Sequence, residues 1–419
     1  METKNISWNK ALRVSRLKVI YSLLAGAIFF SHFQPASYLE HRFGPFISPI
    51  EFLIQNGRVF SAACFLLAIL VLRRVPRGLQ TLSFHPASLL LLLNLYLSIK
   101  LAFFGFYQLS ILSAILVYVQ FFLFSKATLE NFRRQTEDGL TLGNTSLSTA
   151  YASIGLAGVL IVCINIFVLL TDPSNSLDFN GRMHGTTGNP QHLGMIIATT
   201  VPLAIFTLLK RRRIMSFLAS IAIGIAAMLV LAETGSRTGM GSFLFFVACV
   251  IYISSSKRGR AFLPLYSLFL SVFLLAVKYE TLREFFLSRG DTRSHQFELA
   301  ISLFFDHDLI FGAPPIEETG RYLFIENGWL AAASAGGMIA VFILLVLLIR
   351  LMVLAWNAMV SKQPRTPESA CAIALTVSIV FISLFEAIFL GVFAAHTMIV
   401  YFALSALSMS QYSPRGRAT

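Results

Sequence analysis

Long apolar runs alternate with short polar segments along the whole chain. A helix needs about 20 apolar residues to cross the hydrocarbon core of a bilayer. Runs near 18–33, 52–72, 86–106, 108–126, 149–171, 192–209, 214–232, 239–256, 261–279, 328–355, 369–389 and 391–411 predict twelve membrane spans. Two polar segments differ from the short connections. Residues 172–191 are rich in Gly, Asn and Pro and read as a loop, and 280–327 is the longest gap between spans. Within the latter, Phe297, Ala300, Ile301 and Phe304 recur at helical spacing over 291–305, with Asp291 or Thr292 placed to cap the start. That helix is too short and too polar to span, so it is expected at the membrane interface or packed over the bundle.

Composition strengthens this reading. Of 419 residues, 56% are hydrophobic and 13% charged, against about 25% charged in soluble domains. Such a chain cannot cover a water-facing surface, and residues 1–419 read as a single all-α polytopic membrane bundle. The net charge of +13 would suggest nucleic acid in a soluble protein, but here the basic residues sit in short loops between spans. With a cytoplasmic N-terminus, 23 of the 33 Lys and Arg fall on cytoplasmic segments, as the positive-inside rule requires. Both termini are then cytoplasmic. The 172–191 loop, the turn Glu233-Thr-Gly-Ser-Arg-Thr-Gly239 and the 280–327 loop face outward. The basic N-terminus also matches the start of a signal peptide, and an uncleaved first span is expected. Cys64, Cys163, Cys249 and Cys371 are scattered singly, without metal or redox spacing.

Ionisable groups retained at a membrane are candidates for function. On the outward segments these are Arg182, Arg237, Arg289, Arg293 and Glu326. A guanidinium binds phosphate oxygens in pairs and stays charged at any physiological pH, so several gathered together would suit a diphosphate without a metal. Each arginine alone could equally snorkel to headgroups or pair with an acid such as Glu233. Arg237 stands out because Gly235 and Gly239 frame it. Glu326 could accept a proton from a hydroxyl or simply face the positive end of the following helix; Glu386 is a weaker candidate of the same type. Asp306-His307-Asp308 reads as a turn or cap rather than a metal site. His184, His192, His295 and His396 show no ligand spacing, and no metal or cofactor is expected.

Four segments occur in order on the outward side: GRMHGTTGNPQHLG, ETGSRTGMGSFL, DTRSHQFELAISLFFDHDLIFGAPP and ENGWLAAASAGG. Together they resemble the O-antigen ligase and polymerase superfamily of bacterial membrane glycosyltransferases, over roughly residues 180–340. The resemblance implies a GT-C-like bundle in the bacterial inner membrane with a periplasmic active site. It also implies metal-independent, inverting transfer of a glycan from undecaprenyl diphosphate. Arg182, Arg237 and Arg293 match the family's arginines, which are thought to hold the diphosphate or the acceptor. On this reading Glu326 is the candidate base, and Arg289, Asn189, His295 and Asn327 are candidate substrate-binding residues. Ligases usually carry a histidine followed by Asn or Ser where this chain has Glu326-Asn327, and an aromatic, often Trp, where it has Phe297. The missing histidine favours the polymerase branch, joining lipid-linked repeat units into O-antigen, capsule or exopolysaccharide. The expected partners are lipid-linked donor and acceptor glycans, membrane lipids, a chain-length regulator and a flippase. The alternatives are ligation to lipid A-core and, in another class, a flippase or transporter.

Overall fold

A computed structural model describes residues 18–34, 46–72, 86–126, 143–177, 181–254, 292–317, 322, 325, 327–360, 366–390 and 394–409. Twelve main helices are found there: α1 (Lys18–Ser31), α2 (Ser48–Leu72), α3 (Pro86–Phe103), α4 (Tyr107–Phe121), α5 (Gly143–Thr171), α6 (Pro190–Lys210), α7 (Ile214–Thr234), α8 (Arg237–Ser254), α9 (Thr292–Asp306), α10 (Gly328–Val360), α11 (Pro367–Ser383) and α12 (Ala395–Met409). α4 runs on as a π-helical turn over Phe122–Lys126. Among the described residues the only extended pairing is the isolated bridge between Leu177 and Met183.

Helices α2 to α7 and α10 are long and apolar enough to cross a membrane, and α1, α8, α11 and α12 are shorter apolar helices. The architecture is that of an all-α, multi-pass membrane protein. Helices stand at eleven of the twelve positions where the hydrophobic pattern predicts spans. The twelfth, 261–279, lies outside the described residues.

The centre of the bundle is α6, in which every residue from Leu193 to Phe206 is buried. Its neighbours approach closely because small residues line the crossings. A Cβ added to Gly155 of α5 would lie 2.4 Å from the Ala204 nitrogen, and one added to Gly158 would lie 2.3 Å from Thr200 Oγ1. Close backbone approach of this kind brings van der Waals contact to helices that lipid does not drive together. On the other side of α6, Gly194 meets Gly239 of α8, where an added Cβ would come within 3.1 Å of the Gly194 Cα.

Contacts group several helix ends at two separate places. At one end the Gln34 N–H donates to Thr186 O (3.1 Å) and Met183 N–H to Glu233 O (2.9 Å), while Phe33, Phe46, Ile50 and Val168 form a satellite apolar cluster. At the other end Lys210 pairs with the buried carboxylate of Glu368, and the Tyr151 hydroxyl donates to Glu368 O (3.0 Å). The basic segment Lys210–Arg213 and the start of α11 thus share the end opposite the glycine-rich loop.

Two local features depart from the sequence reading. α10 is not one continuous helix, because Gly337 breaks it with φ 59° and ψ −154°. In α9 the packed face is carried by Ala300, 2% exposed, with Leu303 beside it against Ile325 and Ala331. Phe297 and Ile301, expected on the same face, are 42% and 49% exposed. Packing selected the narrow small-residue face, on which two helices can approach more closely than phenylalanine allows.

Candidate functional site

The loop 181–189 (GRMHGTTGN) is pinned rather than loose. Asn165, fully buried on α5, accepts from the Thr186 backbone N–H at 3.0 Å and donates from Nδ2 to Thr186 Oγ1 at 3.1 Å. Only glycine fits beside it: Gly185 has φ 51°, and an added Cβ would sit 1.8 Å from Asn165 Oδ1. The loop ends at Asn189, whose side chain accepts from the N–H groups of Gln191 (2.8 Å) and His192 (3.4 Å), with Pro190 at the first helical position of α6. An Asn cap followed by Pro is a strong helix start.

The same loop docks on the α7–α8 turn. Arg182 Nε donates to Thr234 O at 3.0 Å, next to the Met183–Glu233 bond. Gly235, left-handed at φ 61°, stops α7, and Ser236 Oγ accepts from Gly239 N–H at 3.1 Å to start α8. Arg237 is therefore the first residue of α8 and is exposed. A cation at a helix N-terminus opposes the helix dipole, a position that stabilises anions instead. Arg182 thus docks on the turn that starts α8, three residues before Arg237.

Asn327 stands at the start of α10. Its Oδ1 accepts from Trp329 N–H (2.9 Å) and Leu330 N–H (3.0 Å), and its Nδ2 donates to Leu384 O. The Trp329 indole N–H donates to Ser383 Oγ at 2.9 Å. These bonds tie α10 to the end of α11, which packs on α8 where Phe381 approaches Gly241, one turn from Arg237. The buried Glu386 follows in the next turn. Glu326 and Arg289 lie outside the described residues. Arg293 and His295 fall in the first turn of α9, and their side chains are likewise outside the described set. Asn189 and Asn327 both use their side-chain amides in helix capping.

One charged residue escaped the sequence reading. Lys100 on α3 is 4% exposed and donates to three backbone carbonyls: Phe311 (2.7 Å), Ala313 (2.7 Å) and Ala335 (2.6 Å). It lies beside the break in α10. There the loop 308–313 enters the helix, with Ala313 N–H donating to Ser334 O (2.7 Å) and Met338 N–H to Leu309 O (2.9 Å). Tyr96 adds a bond to Gly336 O at 3.1 Å, and Lys100 lies 5.4 Å from the ring centroid of Tyr322. Burial, and then the nearby Tyr96 phenol, hold the Tyr322 hydroxyl above its ordinary pKa, so it stays a donor to Leu97 O at 3.1 Å. Asp308 Oδ1 accepts from Ile310 N–H (2.8 Å) and Phe311 N–H (3.1 Å), a capped turn. The signal for Lys100 was present as a lone lysine in PASLLLLLNLYLSIKLAF, an intramembrane charge of the kind that needs a partner.

The structure also brings together two histidines 204 positions apart. The rings of His192 and His396 lie 5.0 Å apart, and His396 Nε2 donates to Leu390 O at 3.3 Å. Among the described residues no three His, Cys, Asp or Glu side chains gather as metal ligands. No family model matches the chain, and no curated protein sequence matches it.

Proposed function

We propose that this chain is an inverting, metal-independent polymerase of undecaprenyl-diphosphate-linked repeat units, working at the periplasmic face of a bacterial inner membrane. The reading includes twelve spans in a GT-C-like bundle with both termini cytoplasmic. The observation that carries it is the docking of Arg182 on Thr234 O, in the α7–α8 turn and three residues before Arg237. In the proposed reaction a sugar hydroxyl of one lipid-linked glycan attacks the anomeric carbon of another. The bond to the diphosphate breaks, and the leaving group takes the electron pair. Arg182, Arg237 and Arg293 would stabilise that charge, a contribution of about 3 kcal/mol for a single well-placed donor. Glu326 is the candidate acceptor of the hydroxyl proton. Asn189, Arg289, His295 and Asn327 are proposed to bind substrate, the two asparagines through the helix ends they cap. A flippase and a chain-length regulator are the proposed partners.

Purified protein given labelled lipid-linked repeat units tests this. A ladder of lengths supports polymerisation, and transfer to lipid A-core alone supports ligation. Arg237→Ala should cut the rate about 100-fold. Movement of a lipid-linked sugar across vesicles with no glycosidic bond formed would establish a transporter instead.

A further inference from the structure

The break in α10 leaves a cavity of about 300 Å³ between α9, the loop 313–317 and the first turns of α10. Its walls include Pro314, Pro315, Ile316, Tyr322, Glu317 and His307. We propose that this cavity is a subsite for one pyranose ring of a saccharide substrate, with Tyr322 and the two prolines against the ring's C–H face and Glu317 and His307 on its hydroxyls. The inference deepens the glycosyltransferase reading and rests on it for the identity of the substrate.

Three properties lead to a sugar. The first is chemistry. Ligand sites are mostly apolar with a few convergent polar groups, and a pyranose presents both surfaces: C–H groups suit the negative face of an aromatic ring, and hydroxyls can donate to a carboxylate. A lipid tail would make no use of Glu317 or His307, both of which are exposed at the cavity. The second is size, since about 300 Å³ is at the small end for a ligand site and suits one ring rather than a polyprenyl chain.

The third property is rigidity. Two of the lining residues, Ala313 and Ala335, have their carbonyls held by Lys100 at 2.7 and 2.6 Å. The Tyr322 hydroxyl is held by Leu97 O at 3.1 Å, and its ring lies 5.4 Å from the same ammonium. The floor therefore has two acceptors already in use, and polar recognition falls to Glu317 and His307. Walls fixed before binding lose little conformational freedom when a ligand arrives, which favours a weak but selective sugar contact.

Saturation-transfer NMR on the full chain in lipid nanodiscs, free of glycoside detergents, tests the proposal. The probes are methyl glycosides of glucose, galactose, N-acetylglucosamine and rhamnose, with a short polyprenyl phosphate as competitor. At least one glycoside should give a signal that Glu317→Gln and His307→Ala each weaken at least fivefold, with unchanged thermal unfolding. In the polymerisation assay the same variants should raise KM for the repeat unit with kcat within about twofold. No signal from any glycoside, signals in both variants as strong as in the unsubstituted chain, or a signal removed only by the polyprenyl phosphate would overturn the subsite. Glycoside binding that depends on Glu317, in a protein that never forms a glycosidic bond, would uphold the subsite and overturn the polymerase reading.

Discussion

Lys100 donates to the carbonyl of Ala335 at 2.6 Å, and so holds the end of the first segment of α10 to α3. The same ammonium reaches Phe311 and Ala313, so one cation serves the Ala335 carbonyl beside the break at Gly337 and ties it to the loop that enters there. Lys100→Met keeps the chain's bulk and removes all three bonds. Leaving buried carbonyls unpaired costs about 2–4 kcal/mol in total. Thermal unfolding in nanodiscs should show the loss, with Lys100→Arg intermediate because a planar fork cannot reproduce three converging bonds. Equal stability of the methionine variant would refute the assignment.

Gly337 and Gly312 interlock at the same break. A Cβ on Gly337 would lie 2.4 Å from Ile310 O, and one on Gly312 would lie 2.5 Å from the Gly337 nitrogen. Gly337→Ala meets both that clash and a φ of +59°, for an expected loss of about 2–4 kcal/mol. Gly105 supplies the control: its φ is +84°, but nothing lies within 4 Å of an added Cβ. Gly105→Ala should cost only the backbone strain, about 1 kcal/mol. Parallel unfolding curves separate the two effects.

Asn165 anchors the loop that carries Arg182, through the backbone N–H and hydroxyl of Thr186. Asn165→Leu leaves that buried N–H without its acceptor and should cost about 1–3 kcal/mol. Since the loop also sets where Arg182 docks on Thr234, the variant should lose more polymerising activity than a Thr171→Val control, whose hydroxyl serves only the exposed end of α5. Activity equal to that control would show that the loop's anchorage does not reach the arginines.

What the chain revealed in advance follows from which interactions are local. Spans are legible because lipid solvation acts on each helix separately, and the cap at Asp308 reaches only two or three positions ahead. Arg182 and Arg237 could be nominated but not brought to one turn, because the Arg182 contact with Thr234, three residues before Arg237, links residues 52 positions apart. The break in α10 was hidden for a similar reason. Gly336-Gly337 sits in an apolar run that reads as continuous helix, and only the loop from 308 to 313 explains why the helix opens there. Lys100 was overlooked because its partners are backbone carbonyls, which have no signature in the sequence.

At the opposite end of the bundle, Lys210 and Glu368 pair with very unequal exposure, 44% for the lysine side chain and 2% for the glutamate. The asymmetry predicts unequal mutants. Lys210→Met leaves a carboxylate buried at the start of α11 without its cation, and should cost about 1–2 kcal/mol, less than a fully buried pair because water still reaches that end. Glu368→Gln removes the charge itself and leaves a lysine that can turn to solvent, so its cost should be smaller. The double variant should therefore recover part of the loss in Lys210→Met, with a coupling of about 1 kcal/mol or less. A double-mutant cycle by thermal unfolding reads this directly, and simple additivity of the two single variants would show that the ion pair does not fix the α6–α11 contact.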